Sequence, residues 1–226
     1  MATTDYDFNL TRTQILERAY RIVGAIGEGQ PLSATQTEQG RIALNALIKQ
    51  WQTKGIFLWT LVKKTQALLA ADPDYVLGND VIGIDRAWYQ LSGDDIPVQV
   101  ISYRQYEYEI VDKADVGEPT MVAIDYHLST PTMYVWPVQS SSLTLEYLAI
   151  VRLQDMDTTT GTPDIPQQFL DALVYGAASN LADEYGTPMR EREYIQSKAD
   201  DLFQIAKASN KEYEELPMVM SAFPNR

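Results

Sequence analysis

The chain has 226 residues, 45% of them hydrophobic and 22% charged, a balance that supports a folded core and argues against disorder. It has no cysteine, which excludes disulfides, thiolate metal sites and cysteine nucleophiles and suits a protein folded in a reducing cytoplasm. Net charge is −13, and the single basic pair, Lys63-Lys64, is a poor patch for phosphate, so gripping nucleic acid is disfavoured, although an acidic wall past which DNA slides fits the charge.

The polar, acidic start from Met1 to Asp7 lacks the pattern of a secretory signal, and no apolar run is long enough to span a membrane. Thr11-Arg-Thr-Gln14 is a capping-box pattern, and behind it Ile15, Ala19, Ile22, Val23 and Ile26 recur at helical spacing. Gly27 and Gly29 are read as the stop. A second box, Thr35-Gln-Thr-Glu38, is expected to open a helix with a stripe of Leu44, Leu47, Ile48 and Trp51, ended by Gly55. The short loop between the two favours an antiparallel pair.

From about Leu61 to Val151 the pattern is that of strands. Leu143-Thr-Leu145-Glu-Tyr147 alternates apolar and polar residues, and Met133-Tyr-Val-Trp136 reads as its hairpin partner across Pro137–Ser141. Val81–Ile84 and Trp88–Leu91 read as two further strands, with Ser92-Gly-Asp-Asp95 as a turn. Tyr103 to Ile110 reads as a short helix interrupting the sheet. After a polar loop at Asp155–Pro163, Asp164 and Pro166 start a third helix. Its apolar face, Phe169, Leu170, Leu173, Val174, Ala177, Ala178 and Leu181, is too broad for a helix packed on one side only. Gly186 and Pro188 close it, and a fourth helix runs from about Met189 to Lys211 on a thinner line of Ile195, Ala199, Leu202, Phe203 and Ala206.

The fold expected from this order is α+β: an antiparallel helical bundle built from the N- and C-terminal helix pairs, with an inserted, mostly antiparallel β region and an extended C-terminal arm. The boundaries are 1–60 for the first helix pair, 61–161 for the β region, 162–212 for the second pair and 213–226 for the arm.

Side chains for chemistry are scarce. His127 is the only histidine, which leaves one possible base for a triad and no His/Cys zinc site, and it reads as structural or exposed. Gly24, Gly27 and Gly29 lack phosphate-loop spacing and fall at a helix end. Asp155-Met-Asp157 resembles the opening of a calcium loop, but Thr160 stands where glycine is required and Pro166 where glutamate is. Glu107 with Glu109, or Asp183 with Glu184, could do acid–base work in a cell-wall hydrolase, yet such pairs are expected by chance in so acidic a chain. No catalytic, cofactor or metal residue is assigned, and the expectation is a structural protein rather than an enzyme.

The last segment is apolar but short and carries two prolines: Leu216-Pro-Met218-Val219-Met220, then Phe223-Pro. Leu216, Met218, Val219, Met220 and Phe223 read either as a frayed terminus or as an arm that docks in a neighbouring subunit's groove. Ordering such a segment costs about as much as burying it yields, so one arm binds weakly and several on a ring bind together.

Several stretches resemble, in order, the head-to-tail adaptor proteins of short-tailed bacteriophages, the group of tail tubular protein A and the tail accessory factor also called a packaged-DNA stabilisation protein. They are Thr11 to Gly27, Leu44 to Trp59, Tyr75-Val-Leu with Asp80-Val-Ile, Tyr103-Arg-Gln-Tyr106, Gly117-Glu-Pro-Thr120, Met133 to Val138 and Ile165 to Gly186. The resemblance implies a virion protein of the tail or neck, assembled in the host cytoplasm into a ring, usually of twelve copies, beneath the portal protein. DNA would pass through its lumen without specific binding, and the next tail component (a nozzle, or tail tubular protein B) would attach to it. It also implies that residues 216 to 223 form the portal-docking arm; from the residues themselves, no cofactor and no membrane partner are expected. The rival readings are another virion assembly protein, for tail completion or the baseplate, and the carboxylate hydrolase.

Overall fold

The computed structural model describes residues 8–54, 60–126, 130–157 and 160–209. The chain divides into two compact units: one contains Met1–Ala43 and Pro166–Arg226, the other Leu44–Ile165.

In the first unit, helix α1 (Arg12–Val23) opens on the expected box: Gln14 N donates to Thr11 Oγ1 at 3.3 Å and Thr11 N donates back to Gln14 Oε1 at 2.9 Å. It stops earlier than expected. Gly24 is the C-cap at φ 79°, a left-handed conformation that glycine adopts without a Cβ penalty, so Ile26 is buried after the helix rather than on it. Helix α2 (Ala34–Thr53) corrects a second reading: Ser33 and Gln36 make the box, through Gln36 N to Ser33 Oγ at 3.2 Å and Ser33 N to Gln36 Oε1 at 2.9 Å. Glu38 is instead drawn to Arg41 at 2.7 Å. Gly40 lets α2 approach α1, since a Cβ there would lie 2.8 Å from Leu16 Cδ2.

A 3-10 turn at Gln167–Phe169 leads into α4 (Leu170–Glu184), and α5 (Met189–Ser209) follows. Helix α4 packs against both α1 and α5 and buries nine residues, among them six of the seven expected. The seventh, Phe169, is buried in the turn before it and meets Phe203 of α5 edge-on at 6.4 Å. Two sides of contact explain the broad apolar face.

The second unit overturns the expected architecture. Its frame is a seven-stranded mixed sheet, and strands rather than a helical bundle dominate the core. The strands are β1 (Leu61–Leu68), β2 (Asp74–Val76), β3 (Val81–Leu91), β4 (Asp94–Ser102), β6 (Met121–Asp125), β7 (Thr132–Trp136) and β9 (Leu143–Val151), in the order β1-β9-β3-β4-β6-β7-β2. Two short strands, β5 (Val116–Gly117) and β8 (Val138–Gln139), pair separately and in parallel. The helix α3 (Tyr103–Glu109), capped by Ser102, interrupts the sheet between β4 and β5.

The expected hairpin between Met133–Trp136 and Leu143–Tyr147 does not form. Strand β7 pairs with β6 and β2, while β9 pairs with β1 and β3, so both edges of each strand are taken by others. After Trp136 a cis peptide leads into Pro137, and Val138 goes to β5. Val81–Ile84 and Trp88–Leu91 are one strand with two irregularities, at Val81/Gly83 and Ile84/Arg86. The turn to β4 has the expected chemistry: Ser92 and Gly93 both have positive φ, 54° and 96°, the pair of values a tight two-residue hairpin requires. Strand β4 then changes partner midway, running antiparallel to β3 over 94–98 and parallel to β6 over 99–102.

Fifteen buried residues from Leu68 to Ala149 form the sheet core, including Tyr75, Tyr89, Met133, Leu145 and Tyr147. The second half of α2 is tied to the chain after β9. Lys49 donates to Leu153 O at 2.8 Å and pairs with Asp155 at 2.7 Å, and Asn45 Oδ1 accepts from Met156 N at 2.9 Å.

Candidate interaction site

The arm residues Leu216, Met218, Val219, Met220 and Phe223, and His127, lie outside the described residues. Of the carboxylates considered for hydrolysis, Glu107, Glu109 and Asp183 are engaged with other side chains. Glu107 is bonded to Lys113, which holds its carboxyl below the usual range, and Glu109 accepts from Gln105 Nε2 at 2.9 Å. Asp183 is paired with Arg192, and Asp155 with Lys49. Among the described residues no group of His, Asp and Glu could hold a metal ion, and no helix is long and apolar enough to cross a membrane.

What the structure does assemble is an aromatic cleft of about 480 Å³ in the β unit, which sequence reasoning missed. Ser102 caps α3 by accepting from Gln105 N at 3.1 Å, and one turn of helix then puts Tyr103 and Tyr106 on the same side, their rings stacked at 6.3 Å. Tyr134 comes from β7, held by its pairing with Ala123 of β6 and Asp74 of β2, and its ring lies 5.3 Å from each of the other two. Ala71, Pro73 and Val116 complete the apolar lining. The i, i+3 tyrosines were visible in the sequence; the third ring, supplied by a strand far along the chain, was not.

The cleft stays neutral where tyrosine could ionise. Burial pushes the Tyr103 hydroxyl up to about 12, helped by its hydrogen bond to Glu107, and burial also raises Tyr106. Lys113 lies 5.3 Å from the Tyr106 ring centre while bonded to Glu107, and Arg104 lies 5.9 Å from the Tyr108 ring. Val116 of the lining is 58% exposed, and Tyr108 and Val111 from the same stretch of chain also face solvent, at 77% and 97%. Such exposure marks a surface suited to contact with another macromolecule.

The wall opposite β5 is fixed by an interior network. Tyr75 Oη accepts from Leu69 N at 2.9 Å and donates to Asp72 O at 2.8 Å, and the buried Gln139 amide donates to Leu69 O and to Tyr75 Oη. This fastens the 69–73 loop, where Ala71 has φ 60°, and with it Ala71 and Pro73 of the lining. A second, more polar cleft of about 470 Å³ is lined by Tyr89, Glu118, Glu146 and the serines Ser140, Ser141 and Ser142.

Among the described residues the cleft presents an apolar lining whose carboxylate, Glu107, is paired with Lys113. Comparison with the curated proteins gives no match. The family model of the SU10 adaptor protein matches residues 13–218, which takes in every described helix and strand from Thr13 onward. The chain therefore belongs to the SU10 adaptor family and is a phage head-to-tail adaptor, a structural protein of the virion.

Proposed function

We propose that this protein is a ring-forming subunit of the virion neck that docks on the portal protein, continues its DNA channel, helps retain the packaged genome and offers the platform on which the next tail component assembles. The observation that carries this reading is the family match across residues 13–218. The ring has twelve copies, and assembly takes place in the host cytoplasm. The net charge of −13 supports the channel role, because carboxylates facing a lumen repel phosphate and keep DNA mobile. Screening over about 10 Å confines that effect to carboxylates near the lumen surface.

Attachment to the portal comes from helix faces and from the segment holding Leu216, Met218, Val219, Met220 and Phe223, whose weak individual docking adds up over the ring. In the domain scheme that goes with this, residues 1–60 and 162–212 carry the portal-side helices, 61–161 the tail-side β region and 213–226 the arm. Native mass spectrometry and electron microscopy of the protein mixed with its cognate portal test the proposal. A twelvefold ring on the portal is expected, and no ring with a folded chain and intact portal would overturn it. Deleting residues 216–226 is expected to leave a folded chain with weakened portal attachment; unchanged attachment would remove the arm from the proposal.

A further inference from the structure

The seven-stranded sheet ends differently at its two edges. At one, β2 is three residues long and follows Pro73, a short edge that offers little to another chain. At the other, β1 runs for eight residues, Leu61–Leu68, in unbroken register with β9 and without proline. Among the described residues its backbone is bonded to β9 alone, apart from Ala67 O, which accepts from Gln66 Nε2 at 3.2 Å. On every second residue of an edge strand the N–H and C=O point away from the partner, so β1 presents a row of open donors and acceptors.

Charge on an edge strand keeps other strands off, and β1 carries two lysines. Both are turned inward across the sheet. Lys63 pairs with Glu146 of β9 at 2.7 Å and lies 5.4 Å from the ring centre of Trp88 on β3. Lys64 pairs at 2.6 Å with Asp80, just before β3. Val62 is left 40% exposed, on the same side of the strand as the buried Leu68.

We propose that β1 pairs with β1 of a second copy, antiparallel about a twofold axis at Thr65, joining the two sheets edge to edge. Such an axis must pass through a residue facing its own counterpart, because opposed side chains share a face. The side chains select which residue. Centred on Thr65, Val62 of one copy meets Leu68 of the other, Lys63 meets Ala67, Lys64 meets Gln66 and Thr65 meets Thr65. Apolar falls beside apolar, threonine beside threonine, and no lysine opposes a lysine. Centred on Lys64, two ammonium groups would face each other; centred on Gln66, the pairing shortens and Lys64 meets Leu68. The contact belongs to the free protein. A ring needs head-to-tail contacts, which a twofold cannot supply, so ring closure uses other surfaces.

The test is sedimentation of the full chain at about 0.15 M salt, where repulsion between net charges of −13 is screened beyond about 8 Å, together with hydrogen exchange of the β1 amides. A dimer is expected with a dissociation constant between about 1 μM and 1 mM, as a small contact gives, and it should slow exchange at alternate β1 amides. Thr65→Lys, at an exposed edge position, puts two ammonium groups face to face. It is expected to keep the circular dichroism of the fold and to weaken the dimer about tenfold. Thr65→Cys, in a chain with no other cysteine, is expected to cross-link as a dimer with a short bis-maleimide. A folded chain that stays monomeric to about 1 mM, a dimer indifferent to Thr65→Lys, or one that Thr65→Cys does not cross-link would overturn the proposal. So would loss of the dimer on deleting residues 210–226, which would assign the edge to that segment. The measurement needs no portal, so its failure leaves the ring reading standing, and a missing ring leaves the dimer standing.

Discussion

Gln139 Nε2 lies 2.5 Å from Tyr75 Oη, joining β8 to β2 inside the β unit where Gln139 is only 1% exposed. The same amide donates to Leu69 O, so one side chain holds a loop, an edge strand and a tyrosine. Replacing it with leucine removes the donor shared by Leu69 O and Tyr75 Oη, leaving Leu69 O with the longer bond from Asp72 N at 3.3 Å. Gln139→Leu is expected to lower stability by about 2–3 kcal/mol in urea denaturation. Tyr75→Phe, which loses the bonds to Leu69 N and Asp72 O, is expected to cost about 1–2 kcal/mol in the same assay.

Gly40 of α2 faces the side chain of Leu16 on α1, which a Cβ at position 40 would meet at 2.8 Å. Leu16, fully buried, leaves no room for a side chain there. Gly40→Val is expected to destabilise by about 2 kcal/mol despite leaving fewer conformations to the unfolded chain, because the buried leucine must move. Thermal unfolding would show this, and Leu16→Ala in the same chain should recover part of the loss.

The β3–β4 turn can be improved. Ser92 sits at φ 54°, a conformation that asparagine tolerates better than serine, and it is followed by Gly93. Ser92→Asn is expected to raise the thermal midpoint, with a gain of about 0.5 kcal/mol.

Ion pairs set the acid response. Asp80 is held below the usual range by Lys64, Glu107 by Lys113 and Glu146 by Lys63. A carboxyl with a depressed folded pKa stabilises the fold above its unfolded value, about 4, and loses that contribution as pH falls through the folded one. Urea midpoints should therefore decline below about pH 4, and less steeply in Lys64→Met. At the alkaline end Tyr103, raised to about 12, has the opposite sign: its contribution is complete below the ordinary tyrosine value of about 10 and is lost as pH rises through 12. Tyr103→Phe should flatten that decline, read by unfolding midpoints and tyrosinate absorbance.

Local signals were legible where local physics decides. The Thr11–Gln14 box, the Ser92-Gly93 turn, the short α3 and the buried face of α4 each follow from neighbours in sequence. What could not be read were choices settled at a distance. Met133–Trp136 alternates well enough to pair with Leu143–Tyr147, yet each found better partners, and periodicity does not say which strand lies alongside which. The helical stripes drew attention to a bundle, whereas the larger core belongs to Tyr75, Tyr89, Met133 and their neighbours on strands. Among helix ends, Gly24 and Ser33 displaced Gly27 and Thr35 because several residues with the right propensity stood within a few positions. The cleft was half legible, since Tyr103 and Tyr106 share a helix side but Tyr134 arrives only through the sheet order.

The partition of the chain at Ala43 and Pro166 has a bearing on synthesis. All of Leu44–Ile165 is synthesised, and emerges from the ribosome, ahead of the residues that complete the other unit. The strands can thus close while α1 waits for α4, its packing partner, to emerge. A nascent chain ending at Ile165 and held on the ribosome by a linker long enough to clear the tunnel should already protect its sheet amides from exchange while α1 remains open to proteases.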